Sequence, residues 1–113
     1  MLINQLNEKE REIIQKVFLA SVNGPFFEDW EFSTLIGMER NQLTNLLESW
    51  PNYNDKDDDV LFNAIHNCIG NLLYYPHKKE QLFNQMVSAG EKELNNLLEK
   101  INLLKEKDKN ERE

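Results

Sequence analysis

Apolar residues recur three and four positions apart along almost the whole chain, and a helix cap and a proline stop recur in the same register in its second half. This periodicity leaves an all-α fold as the reading. Asn7, with Glu10 three residues later, has the form of a capping box. A first helix follows, with Leu6, Ile13, Ile14, Val17 and Phe18 on one face, and Asn23-Gly24-Pro25 stops it. Asp29 is placed to cap a short helix from Trp30 to Ile36, and Gly37 to end it in a left-handed turn. Residues 39–50 read as a third helix closed by Pro51, and Asn52 to Asp57 as a polar loop. The pattern then restarts. Asp58 is placed to cap a long helix to about Tyr74, and Pro76 to stop it. Lys79 to Val87 reads as a short helix. Ser88 with Glu91 has the form of a second capping box ahead of a helix lined by Leu94, Leu97, Leu98, Ile101 and Leu104.

The halves align without gaps at an offset of 51 residues, with eight identities between 11–50 and 62–101. Asn7 falls on Asp58, Pro25 on Pro76, Phe32 on Phe83, and LTNLLE on LNNLLE. The expectation is a helical bundle of two similar three-helix halves, packed face to face. It forms one domain over 1–104, with halves about 5–53 and 54–104, and the charged tail 105–113 is expected to fray. At 113 residues a chain buries roughly 60–70% of its unfolded surface, enough for a core without disulfides. The single cysteine, Cys68, excludes an intramolecular disulfide and fits a reducing compartment. With no signal-peptide pattern at MLINQLNEKERE and no apolar run of membrane-spanning length, the expected location is cytoplasmic, without membrane association.

The net charge of −7 is confined to one segment. Residues 28–59 carry nine acids against Arg40 and Lys56, while acids and bases balance in the rest of the chain. Such a field attracts basic partners and repels phosphate backbones. The same segment opens with GPFFEDWEFSTLIG, where four aromatics and three carboxylates fall within nine residues. Aromatics at that bend would pin the short helix to the long one, and carboxylates favour a helix N-terminus. Yet Phe27-Glu28-Asp29 aligns with Lys78-Lys79-Glu80, so the same place can be built without an acidic cluster. The first half therefore carries charge that the fold does not require. The candidate partner-binding residues are Glu28, Asp29, Trp30, Glu31, Glu39, Asp55, Asp57, Asp58 and Asp59.

Other chemistries find less support. FSTLIGMERNQLTNL has helix-turn-helix spacing around Gly37, and its second helix, within 32–50, would present Glu39, Arg40, Asn41, Thr44 and Asn45 to DNA. Phosphate neutralisation there would rest on Arg40 alone, so a DNA-binding regulator is the alternative and nucleic acid is not the expected partner. Asp55, Asp57 and Asp59 alternate as at the start of a calcium loop, but Val60 stands where glycine is needed and His66 where the bidentate glutamate belongs. His77 and Glu80 lie one helical step apart without a second pair, so no metal is expected. His66 is placed at the polar edge of its helix, and Cys68 on the apolar face. No Gly-rich phosphate loop or nucleophile elbow is present, which points away from an enzyme and from a cofactor. The leucine spacing of the last helix would also allow a homodimer.

The run GPFFEDWEFSTLIG, followed by Arg40 and later by LLESWP, resembles a family of small bacterial proteins with a G-P-F-F-x-D-W-E-F-x-T-L-x-G core. The resemblance covers about residues 24 to 51. It implies a bacterial, cytoplasmic protein and no particular activity, and it groups Asp29, Trp30, Glu31, Phe32 and Gly37 as a unit. The function expected is non-enzymatic binding of a basic protein through the acidic segment 28–59. An immunity-type or antitoxin-type protein is its most concrete form.

Overall fold

The computed structural model describes residues 2–75 and 79–112, apart from the side chains of Asp55 and 108–112. It is an all-α bundle. A 3-10 turn at Ile3–Gln5 precedes α1 (Glu8–Asn23), α2 (Asp29–Ile36) and α3 (Arg40–Glu48). A second 3-10 turn, Asp55–Asp57, leads into α4 (Asp58–Tyr74), α5 (Glu80–Val87) and α6 (Glu91–Arg112). The 51-residue offset holds in the element bounds: α2 maps onto α5 end to end, and α3 and α6 start at equivalent residues. Their closures correspond as well. Gly37 at φ 85° and Ser88 at φ 58° both end their helices in the left-handed region.

The local chemistry explains most boundaries. Asn7 accepts from the Glu10 backbone N–H at 2.8 Å, and the Glu10 carboxylate accepts from the Asn7 N–H at 2.9 Å. Gly24 must be glycine for want of space: a Cβ there would sit 2.5 Å from the Ala20 carbonyl and from the Phe26 ring. Gly37 combines a left-handed backbone with a close neighbour, Asn67 Nδ2, at 3.1 Å from where a Cβ would lie. The peptide Trp50–Pro51 is cis, and Trp50 sets its ring edge-on to Phe18 and to Tyr53.

Three boundaries correct the sequence reading. Glu28, not Asp29, precedes α2, because the Asp29 carboxylate turns to Arg40, 3.0 Å away. Asp57, not Asp58, precedes α4, and its carboxylate accepts from the Asn54 N–H at 3.0 Å to close the 3-10 turn. Ser88 closes α5, and α6 begins only at Glu91, with Leu94 N–H bonded to the Gly90 carbonyl, so Ser88 is not the residue that starts α6. α6 also runs on through the charged tail to Arg112. The expected stop at Pro76 lies outside the described residues, although α4 does end at Tyr74.

The halves interlock rather than meeting face to face. α3 packs on α1 and α6 on α4, each within its own half. The short helices cross over: α2 lies on α4, and α5 lies on α1. Two asparagines of α4 fix the first crossing. Asn67 and Asn71 each donate at 2.9 Å to the Ile36 and Leu35 carbonyls, which the end of α2 would otherwise leave unpaired. Equivalent positions fill the shared core: Ile14 and Ile65, Val17 and Cys68, Phe18 and Ile69, Phe32 and Phe83, Leu43 and Leu94 are all buried. Burial pushes the Cys68 thiol up to about 12, against the opposing pull of its Ser21 hydrogen bond.

Lys100 of α6 reaches Glu10 at 2.7 Å and ties the last helix to the start of α1. Burial raises the Glu10 carboxyl, but Lys100 and the Asn7 N–H outweigh it and hold the carboxyl below its ordinary value. A lowered folded value stabilises above the unfolded carboxyl range and is lost as pH falls through the folded value. Glu10→Gln should therefore cost about 1 kcal/mol at neutral pH. The gap between variant and wild type in urea unfolding should close on acidification.

Candidate interaction surface

The bend before α2 is where the chain commits its aromatics. Phe26 and Phe27 are buried. Phe26 meets Phe83 of α5 edge-on at 6.2 Å, and Phe27 packs between Phe32 and Tyr75. The cluster joins the two halves rather than pinning α2 to α1. With Phe32 and Ile36 directed into the core, Trp30 falls about 200° around the helix from Phe32 and points outward. It is 79% exposed, the most exposed of the large hydrophobic side chains among the described residues. Its counterpart at the 51-residue offset is Gln81.

Carboxylates flank Trp30 in the sequence, and two of them already have work within the chain. Asp29 pairs with Arg40 but stays 94% exposed. Glu31 accepts a hydrogen bond from the Tyr75 hydroxyl, at the end of α4. That bond, then burial and the charges of Glu31 and Glu28, raise the Tyr75 phenol above its ordinary value. Glu28 is exposed with no partner among the described residues. Glu39 begins α3, where its N–H donates to Gln42 Oε1 at 2.7 Å and its side chain is exposed. Asp29 and Glu39 line one shallow cleft of about 520 Å³, together with Arg40, Asn41 and Thr44.

The remaining acids of the segment lie apart from this group. Asp57 lines a different cleft with Gln42, Asn45 and Ser49, on the other flank of α3 from Arg40 and Thr44. Asp58 is 5% exposed and cannot meet a partner. Its Oδ2 accepts from the Leu2 N–H at 3.1 Å, and its Oδ1 is buried without a partner. The reason is local: with Asp57 at the helix start, Asp58 is rotated inward over the N-terminal 3-10 turn. Asp59 is exposed in the first turn of α4, and the Asp55 side chain lies outside the described residues. The acidic segment is thus divided, with Asp29 and Glu39 on one flank of α3 and Asp57 on the other.

Arg40 is the residue whose role the sequence least reveals. Its guanidinium lies 4.3 Å over the Phe32 ring and donates to the Ser21, Val22 and Phe27 carbonyls at 3.3, 2.5 and 3.2 Å. It occupies the C-terminal end of α1, where a cation is favoured. The helix-turn-helix reading relied on Arg40 for phosphate contact. Of the residues that reading offered to DNA, Glu39, Asn41 and Asn45 are exposed, and none of these three is a cation. Tyr75 is a contributor that sequence reasoning missed, and only its place beside Pro76, at a helix end, could have drawn notice.

Among the described residues there is no group of three metal-ligating side chains and no helix long and apolar enough to cross a membrane. His77 lies outside the described residues, and His66 is exposed. No protein-family profile, curated protein or solved structure matches the chain.

Proposed function

We propose that this chain is a non-enzymatic protein-binding module that docks a basic partner on the outer face of α2. Trp30 is the anchor, and Glu28, Asp29, Glu31 and Glu39 form its charged surround. The observation that carries the reading is the exposure of Trp30, at 79%, on an otherwise well-filled bundle. A large aromatic anchor inside a polar rim is the usual composition of an interface hot spot. A lysine or arginine from the partner would gain from the indole face. Complementary charge would also speed encounter. The recurrence of element bounds supports the view that the second half supplies the same scaffold without these groups, which sets the first half apart as the binding half. The most concrete form is an immunity-type or antitoxin-type protein that covers the phosphate-binding cleft of a nuclease. A bacterial, cytoplasmic setting accords with the resemblance over residues 24 to 51.

Affinity capture with the tagged wild-type chain, repeated with Trp30→Ala, tests this. One basic protein should be retained stoichiometrically, and Trp30→Ala should weaken its binding about 30-fold while leaving unfolding unchanged. Reversing Asp59 should do much less. Undiminished capture by Trp30→Ala would remove the proposed surface.

A further inference from the structure

The contacts that join the halves are independent of the route the chain takes between them. Phe26 meets Phe83, Asn67 and Asn71 hold the Ile36 and Leu35 carbonyls, Asp58 takes the Leu2 N–H, and Lys100 reaches Glu10. Each of these pairs one residue before position 49 with one after position 57. The chain passes from one half to the other once, through residues 49–57, and the two parts of that segment differ. Trp50 sets its ring against Phe18 and Tyr53, and the Tyr53 hydroxyl donates to the Leu46 carbonyl, so 50–53 is fastened to the first half. Residues 54–57 close on themselves. The Asp57 N–H donates to the Asn54 carbonyl at 2.9 Å, the Asn54 N–H donates to the Asp57 carboxylate at 3.0 Å, and Asn54 and Lys56 are exposed.

From this division we infer that the partner the architecture fits is a second copy of this chain. Two copies exchange halves: the first half of each closes on the second half of the other, and 54–57 is the hinge. Opened out, those four residues span roughly 13–14 Å, against about 8 Å at the rise of a 3-10 turn. Each contact named above is then remade between chains, with the same partners. The exchange gives up the two hinge turns and the free motion of one chain, so protein concentration drives it. It uses the buried residues that already hold the single chain together, and no outer surface. Trp30, exposed on α2 in either arrangement, is carried twice by the dimer.

The test uses two full-length variants, Phe32→Ala in the first half and Phe83→Ala in the second. They are unfolded in urea, mixed in equal amounts, refolded at high concentration and separated by size with light-scattering detection. A mixed dimer built by exchange has one unit with both phenylalanines and one with neither. Its expected urea curve therefore contains a transition at the wild-type midpoint, which neither variant shows when refolded alone. The hinge is tested in the wild-type background. Asp57→Ala should raise the dimerisation constant about 30-fold, from one hydrogen bond that the single chain no longer makes at each of two hinges. Trp30→Ala should dimerise like wild type. Monomer alone after concentrated refolding of the mixture would overturn the proposal. So would a dimer without the wild-type transition, since an outer surface would then hold it. Loss of the dimer in Trp30→Ala would assign it to the outer face of α2 instead, and equal dimerisation by wild type and Asp57→Ala would overturn the assignment of the hinge.

Discussion

Arg40→Ala should lower stability by about 2–4 kcal/mol, a large share of the roughly 5–15 kcal/mol that holds a domain of this size together. The guanidinium serves three backbone carbonyls, Ser21, Val22 and Phe27, and no other side chain is shown donating to them. Removing it leaves half-buried acceptors at the end of α1, frees Asp29, and uncovers the ring of Phe32. A hydrogen bond from a charged donor is worth about 1.5–3 kcal/mol, and the losses here overlap because they share one group. Arg40→Lys should recover less than half of the loss. A single ammonium cannot lie flat on Phe32 and reach three carbonyls and a carboxylate at once. Chemical denaturation of the three proteins measures this directly. An Arg40→Ala protein as stable as wild type would show that the guanidinium is spare, and would return it to the list of groups available to a phosphate backbone.

The second large effect belongs to a pair of equivalent phenylalanines. Phe32→Ala and Phe83→Ala should each cost about 3–5 kcal/mol, as deletion of a buried ring does. Phe32 of α2 is 1% exposed, and Phe83 of α5 is 5% exposed. Because α2 rests on α4 and α5 on α1, each ring sits between the halves. Both variants should therefore unfold in one transition, with loss of near-ultraviolet and far-ultraviolet signals together. A biphasic curve for Phe83→Ala, with the first half still folded, would contradict the interlocked packing. Phe32→Ala is expected to be the worse of the two, since it also removes the platform beneath Arg40.

The contrast between what periodicity shows and what it hides runs through these residues. The apolar spacing placed α2 and α5 almost to the residue, because a helix that buries one face must repeat its hydrophobic positions every three or four residues. Gly37 was legible because few other residues accept a left-handed backbone. Spacing says which face is buried, but not against which neighbour, so the crossing of the short helices was invisible. Asp58 was misjudged for a related reason. A carboxylate at a helix start looks the same in sequence whether it faces solvent or bonds to an N–H 56 residues away, as it does with Leu2. Arg40 is the same case again, since its partners are backbone carbonyls, which every residue has. Of the acidic candidates, Glu28 to Glu31 stood out in the sequence as a charge cluster, but the use of Asp29 by Arg40 and of Glu31 by Tyr75 did not. The outward turn of Trp30, and the inward turn of Phe26 and Phe27 beside it, required the helix phase.

The crossed short helices make each half incomplete in a particular way. A half on its own has a short helix and no long helix for it to lie on; the surface it needs belongs to the other half. Two such units on separate chains would have to meet at sufficient concentration and exchange arms before either could close its core. The segment between α3 and α4 turns that meeting into an intramolecular event, at an effective concentration on the order of millimolar for a short connection. The link from Ser49 to Asp57 thus acts as a leash, which lets one chain assemble, at any dilution, what is in effect a dimer of arms.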